Sequence, residues 1–66
     1  MKPATINRIL EEAQIEDELQ LKAYWYSICY DRLKENPWTV TGISFSACVG
    51  KTKLAALRAA RKRARP

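Results

Sequence analysis

Residues 38–50 decide the fold, and they read WTVTGISFSACVG. Apolar side chains recur at every second position, which is the period of a half-buried β-strand. They occupy even positions at first and odd positions later: Trp38 and Val40, then Ile43, Phe45, Ala47 and Val49. The phase changes at Gly42. Because a shift of one residue exchanges the two faces of a strand, Gly42 marks a bulge or a tight turn between two short strands.

The side of these strands opposite the apolar residues is polar. It carries hydroxyl side chains: Thr39, Thr41, Ser44 and Ser46. We therefore expect the apolar set to face the core and the hydroxyl set to face solvent, as in a half-solvated antiparallel sheet. A sheet this small needs helices or a second copy of itself to cover its apolar face.

The residues before this sheet predict two helices, over 5–14 and 16–35. The first helix is capped by Thr5 and carries one apolar set: Ile6, Ile9, Leu10 and Ala13. The second helix carries another set: Ile15, Leu19, Ala23, Tyr26, Cys29, Tyr30 and Leu33. At about 100° per residue, the two sets lie on opposite sides of a helix.

Two arrangements explain the opposed apolar sets. Either the helix breaks near residues 14–17, or one long helix packs against different surfaces along its length. We favour the break, because the acids at 16–18 suit the first turn of a second helix, where the helix dipole favours negative charge. Pro37 then ends that helix, since the residue before a proline avoids helical geometry.

The second predicted helix also has apolar residues away from its main stripe. They are Leu21, Tyr24 and Ile28, and Trp25 borders the stripe. We expect Leu21, Trp25 and Ile28 to form an oligomer or partner interface. A helix that is apolar on more than one side is usually packed on both. A chain of 66 residues has only a marginal core of its own, so the sequence predicts a homodimer.

The C-terminal segment predicts a basic amphipathic helix. Gly50 ends the strand, and Thr52 caps a helix that runs through Ala64. Its packing side is built from small and apolar residues: Ala56, Leu57, Ala60 and Ala64. Residues 61–66 are expected to fray as a basic tail. The fold class is therefore α+β in a single domain over residues 1–66, with two N-terminal helices, a short β-hairpin or bulged strand, and the basic helix.

The charge of the chain is strongly divided. All seven acids lie between Glu11 and Glu35, and seven bases follow Glu35, so the first 35 residues carry −2 and the last 31 carry +7. A concentrated positive field attracts polyanions, of which nucleic acid is the commonest. We predict that phosphates are bound by six bases: Lys51, Lys53, Arg58, Arg61, Lys62 and Arg65. Nothing in the pattern separates RNA from DNA.

Other functions fit the same residues. The bases also suit a solvated face that aids solubility, or a helix that docks on the acidic segment 11–18 within the chain or across a dimer. An alternative hypothesis is a small regulator or inhibitor that binds another protein through an apolar helix face. A structural subunit of a nucleoprotein assembly is a third class.

The sequence contains no pattern typical of an active site, a metal site or a membrane span. Histidine is absent, and Cys29 and Cys48 are too few for a structural zinc site, so we expect two buried free thiols, no catalytic residue and no cofactor. A phosphate-binding loop around Lys51 would need glycine at position 45, which is Phe45. No apolar run approaches a membrane span, and no signal peptide is recognisable, so we expect a non-enzymatic, cytoplasmic protein.

Residues 50–57 read GKTKLAAL, and two further alanines follow at positions 59 and 60. With the strands before it, the stretch 40–64 resembles the second half of a double-stranded RNA-binding domain. That family ends in strand, turn, strand and a helix that opens on a Gly-x-Ser-Lys-Lys-x-Ala-Lys pattern. Four positions fall in step: Gly50, Thr52, Lys53 and Ala56. The family's other two lysine positions hold leucine here, so the resemblance implies duplex binding in which Lys53, helped by Lys51, contacts phosphate.

Overall fold

The computed structural model describes residues 2–23, 25–43 and 45–64. They form an α+β fold with the order helix, three strands, helix. The elements are α1 (Pro3–Ala23), β1 (Tyr26–Tyr30), β2 (Trp38–Gly42), β3 (Phe45–Gly50) and α2 (Lys53–Arg63). The α+β class predicted from the sequence is therefore confirmed. Among the described residues, no helix is both long enough and apolar enough to cross a membrane.

The three strands form one antiparallel sheet in the order β1-β2-β3. Ile28 of β1 lies opposite Val40 of β2, which in turn lies opposite Cys48 of β3. These three residues form the central row of the side that faces the helices. The β2–β3 register shifts between Val40 and Gly42, so the predicted irregularity at Gly42 is confirmed.

Both helices lie on the same side of the sheet. α2 packs on β3 and β2, and α1 packs on α2 with a smaller contact to β1. The fully enclosed residues come from every layer: Ile15, Leu19, Val40, Cys48, Ala56, Leu57, Ala60 and Ala64. The alanines of α2 allow its backbone to approach the sheet closely, since they place only one carbon between the helix and the strands.

The prediction of two N-terminal helices is wrong. α1 is a single helix that continues through residues 14–17 to Ala23, and residues 26–30 form a strand. The apolar residues Tyr26 and Tyr30 are four apart, which suits one side of a helix and one side of a strand equally well. Pairing with β2 decides between them, because β2 would otherwise lack a neighbour on that edge.

The predicted inward side of β3 is correct for Phe45, which packs against the core, but wrong for the residues after it. Cys48 and Gly50 are buried, whereas Ala47 is exposed and Val49 is 52% exposed. The cause is the close approach of α2, because a Cβ added at Gly50 would lie 2.6 Å from the backbone nitrogen of Ala56. Small residues must therefore face the helix, and the larger Val49 points away from it. Ser46 is exposed as expected, and Ser44 lies outside the described residues.

α2 begins as the sequence predicts. The hydroxyl oxygen of Thr52 accepts a hydrogen bond from the backbone N–H of Ala55 at 3.1 Å, which satisfies one of the free donors at the helix start. At the other end the helix includes Arg61, Lys62 and Arg63. The N–H of Ala64 still bonds to the carbonyl of Ala60 at 2.8 Å, so these residues continue the ordered helix.

Candidate nucleic-acid interface

Arg58 of α2 reaches back to the acidic helix α1. Its Nη2 donates to Oε1 of Glu11 at 2.9 Å while its Nε donates to Oε2, which makes a two-pronged ion pair. The hydrogen bond from Arg58 lowers the pKa of the Glu11 carboxyl, and the same bond raises the pKa of the guanidinium. A phosphate that binds Arg58 must therefore compete with a carboxylate already in place.

Lys53 is held in a similar way. Its Nζ lies 3.5 Å from Oε2 of Glu16, and both side chains are about one third exposed or less. The hydroxyl of Tyr26 donates to the other oxygen of Glu16 at 3.3 Å, so this carboxylate links α1 to both α2 and β1. Burial, together with the nearby charge of Glu16, raises the pKa of Tyr26.

The other predicted bases have different surroundings. Lys51 and Lys62 are exposed and Arg61 is half-buried, and within the described residues none of the three forms a salt bridge. Arg58 and Lys62 are four residues apart and therefore lie on one face of α2. Arg65, the sixth predicted base, lies outside the described residues. The structure thus divides the five described bases of the predicted set into two that form ion pairs with α1 and three that form none.

A cleft of about 390 Å³ opens beside the start of α2. It is lined by Arg8, Glu12, Trp38, Lys51, Thr52, Lys53 and Leu54. The Trp38 ring also packs at a tilt against Tyr30, with 4.8 Å between the ring centroids. The cleft therefore combines three bases with an aromatic wall and one acid.

Arg8 is the base that the sequence analysis missed. It lies seven and eleven residues before Ile15 and Leu19, which places all three on the same side of α1. Ile15 and Leu19 are fully buried, so this is the side of α1 that faces the rest of the fold. If residues 3–23 are read as one helix, a helical wheel is enough to place Arg8 on the side that faces α2. Arg63, in the last turn of α2, is also outside the predicted set, and its charge opposes the effect of burial on the pKa of Cys48.

The structure does not bring the predicted interface residues Leu21, Trp25 and Ile28 onto one face. Leu21 lies on α1 and is 81% exposed, and Trp25 is exposed in the connection before β1. Ile28 lies in β1, where it packs against the core. Their proximity on a helical wheel is lost because the chain leaves the helix at Ala23.

Both cysteines are free thiols, in different environments. Cys48 is buried as expected, whereas Cys29 is exposed on β1. Burial raises the pKa of Cys48, and its thiol donates to the carbonyl of Ser46. In the described part of the chain, no group of three or more histidine, cysteine or acidic residues is placed to hold a metal ion.

No family model, curated protein or solved structure matches this chain.

Proposed function

We propose that this is a cytoplasmic, non-enzymatic nucleic-acid-binding protein that contacts phosphates through the basic surface of α2 and the residues just before it. The observation that carries the proposal is the position of Lys51, Arg61 and Lys62. Lys51 lies just before α2, Arg61 and Lys62 lie in its last turn, and among the described residues none of the three forms a salt bridge. Bases that are not held in an ion pair contribute most to the positive field that draws phosphates to the surface.

The resemblance to a double-stranded RNA-binding domain supports the same surface. Strand, turn, strand and helix follow one another from Trp38 to Arg63, in the order that the resemblance implies for this part of the chain. Lys53 opens α2 at the position where that family contacts phosphate. Here the lysine is within 3.5 Å of Glu16, so phosphate binding requires it to exchange one anion for another.

The salt dependence of binding measures how many bases take part. On duplex DNA the slope of log affinity against log salt is about −0.9 for each phosphate neutralised. Contacts from Lys51, Arg61 and Lys62 alone give a slope of about −2.7, and recruitment of Lys53 and Arg58 extends it to about −4.5. The slope therefore shows whether the two bases held by α1 are released on binding.

The test is fluorescence anisotropy with short labelled duplex and single-stranded DNA and RNA, titrated over a series of salt concentrations. We expect binding at low salt that weakens as salt rises and is lost in a triple variant with glutamine at positions 51, 61 and 62. Absence of binding to every polymer at low salt would overturn the proposal. So would undiminished binding by the triple variant when circular dichroism shows that it is folded.

A second variant tests the competition between carboxylate and phosphate. Glu16→Gln removes the acid that holds Lys53, so it should tighten binding and make the salt slope steeper by about 0.9. Glu35→Gln changes the net charge by the same amount at an exposed position, and it is the matched control. Equal effects of the two substitutions would mean that only net charge matters and that Lys53 does not reach phosphate.

A further inference from the structure

α1 has two apolar sides, and only one of them is covered. Ile15 and Leu19 are fully buried against the rest of the fold. The other set consists of Ile6, Ile9, Leu10 and Ala13, all of which are exposed. At about 100° per residue these four fall within an arc of about 100°, roughly opposite the buried pair. We call this set the outer stripe.

The spacing of the outer stripe is that of a helix–helix contact. Its members lie at positions i, i+3, i+4 and i+7, the pattern that normally marks the packed side of an amphipathic helix. Leu10 is 62% exposed at the centre of the stripe. A continuous apolar strip on one helix, rather than scattered single residues, is characteristic of a surface that associates with another protein.

The ends of the outer stripe carry opposite charges. Lys2 precedes the helix, and Asp17 lies beyond the stripe on the same side of α1. Both are exposed, and neither forms a salt bridge within the described part of the chain. They are fifteen residues apart, or about 22 Å along a helix. The surface is therefore apolar at its centre, positive at one end and negative at the other.

From this pattern we propose that the outer stripe is the contact between two copies of this chain, with the α1 helices antiparallel about a two-fold axis. The axis passes between Ile9 and Leu10, so that each of these residues faces the other in the second copy. Ile6 then faces Ala13, and Lys2 faces Asp17, because all these pairs are equally far from the axis. A two-fold contact of this kind is self-complementary by symmetry.

Charge selects this arrangement over a parallel one. In a parallel pair of α1 helices, Lys2 would face Lys2 and Asp17 would face Asp17, which is repulsive at both ends. The antiparallel pair makes two attractive contacts instead. One helical side is a small interface, so we expect a reversible dimer with a dissociation constant in the micromolar range or weaker, dependent on concentration. The bases at Lys51 and Lys62 lie on other elements, so the proposed dimer presents two basic surfaces.

Sedimentation equilibrium of the full chain over a wide range of concentrations, without nucleic acid, tests the proposal separately from the proposed function. The wild-type chain should show a monomer–dimer equilibrium, and Leu10→Glu should abolish it by placing a carboxylate on the axis. Leu33→Glu is the matched control, because Leu33 is 87% exposed and lies outside α1. Circular dichroism confirms that each variant is folded.

The charged ends give a second, reciprocal test. Lys2→Glu and Asp17→Lys should each weaken the dimer about tenfold at low salt, since either one replaces two attractions by two repulsions. The double variant restores opposite charges and should recover wild-type dimerisation. A wild-type chain that stays monomeric at millimolar concentration would overturn the proposal. A dimer that survives Leu10→Glu, or a double variant no better than the single ones, would overturn it equally.

Discussion

Gly50 lies where β3 passes under the start of α2, and replacing it with alanine should destabilise the protein. The added Cβ would lie 2.6 Å from the backbone nitrogen of Ala56 and 3.0 Å from the Cβ of Ala55. Ordinary contact begins at 3.4 Å, so β3 and α2 would have to separate by about 0.8 Å at this point. No rotation of a side chain can relieve the clash, because the nearest atom belongs to the helix backbone.

Two opposing terms set the size of the effect. Overpacking of this kind lowers the stability of the folded state by about 1–3 kcal/mol. Replacing glycine also restricts the unfolded chain, which raises the stability by about 0.4–1 kcal/mol. We expect Gly50→Ala to lower the free energy of unfolding by about 1–2 kcal/mol. In a domain of this size that corresponds to a fall in melting temperature of about 5–15 °C.

Urea unfolding followed by tryptophan fluorescence is a suitable assay, because Trp38 lies directly opposite Gly50 in the sheet. Gly42→Ala is the internal comparison. Its Cβ meets the outer atoms of the Phe45 ring, which can turn aside, so it should cost less than Gly50→Ala. A Gly50→Ala variant as stable as the wild type, or a Gly42→Ala variant that loses as much stability as Gly50→Ala, would refute the predicted clash with the helix backbone.

Two further outcomes follow from the fold. Val40→Ala should lower the free energy of unfolding by about 2 kcal/mol, and Val49→Ala by less than about 1 kcal/mol, because only Val40 is enclosed. Equal losses in urea unfolding would contradict the observation that Val40 faces the core and Val49 faces solvent. The bond from Arg58 lowers the pKa of Glu11, so this pair stabilises the fold above the ordinary carboxyl pKa of 4.5 and loses its effect as the pH falls through the lowered value. Glu11→Gln should therefore be less stable than the wild type near neutral pH and equally stable in acid, whereas a constant gap, or the same trend in Glu35→Gln, would refute the assignment.

Local chemistry accounts for the parts of the fold that the sequence predicts well. The change of phase at Gly42 and the hydroxyl cap at Thr52 are each encoded within a few residues, and both occur as expected. The packing side of α2 follows from the spacing of Ala56, Leu57 and Ala60, all fully buried. In each case the local sequence favours one structure, and no contact from a distant part of the chain favours a different one.

The parts that sequence reasoning missed are decided by distant contacts. Tyr26 and Tyr30 fit a helix and a strand alike, and only pairing with β2 selects the strand. Val49 has the stronger preference for the core, but the approach of α2 to Gly50 leaves room there only for small residues. For the candidate site, composition identifies the bases but not their partners, since Arg58 and Glu11 are 47 residues apart in the chain.

The charge division of the chain therefore has a meaning that composition cannot supply. An acidic half and a basic half of one chain can attract each other, and the basic half can also attract an outside polyanion. The structure shows attraction between the halves in the ion pairs that Glu11 and Glu16 form with bases of α2. Those acids lie on the side of α1 that faces α2, so they restrain the bases directed towards α1. Lys51 and Lys62 are exposed and form no salt bridge within the described part of the chain, so their charge is available. Because a phosphate must displace a carboxylate to reach Lys53 or Arg58, the acidic helix sets how much of the basic surface an outside anion can use.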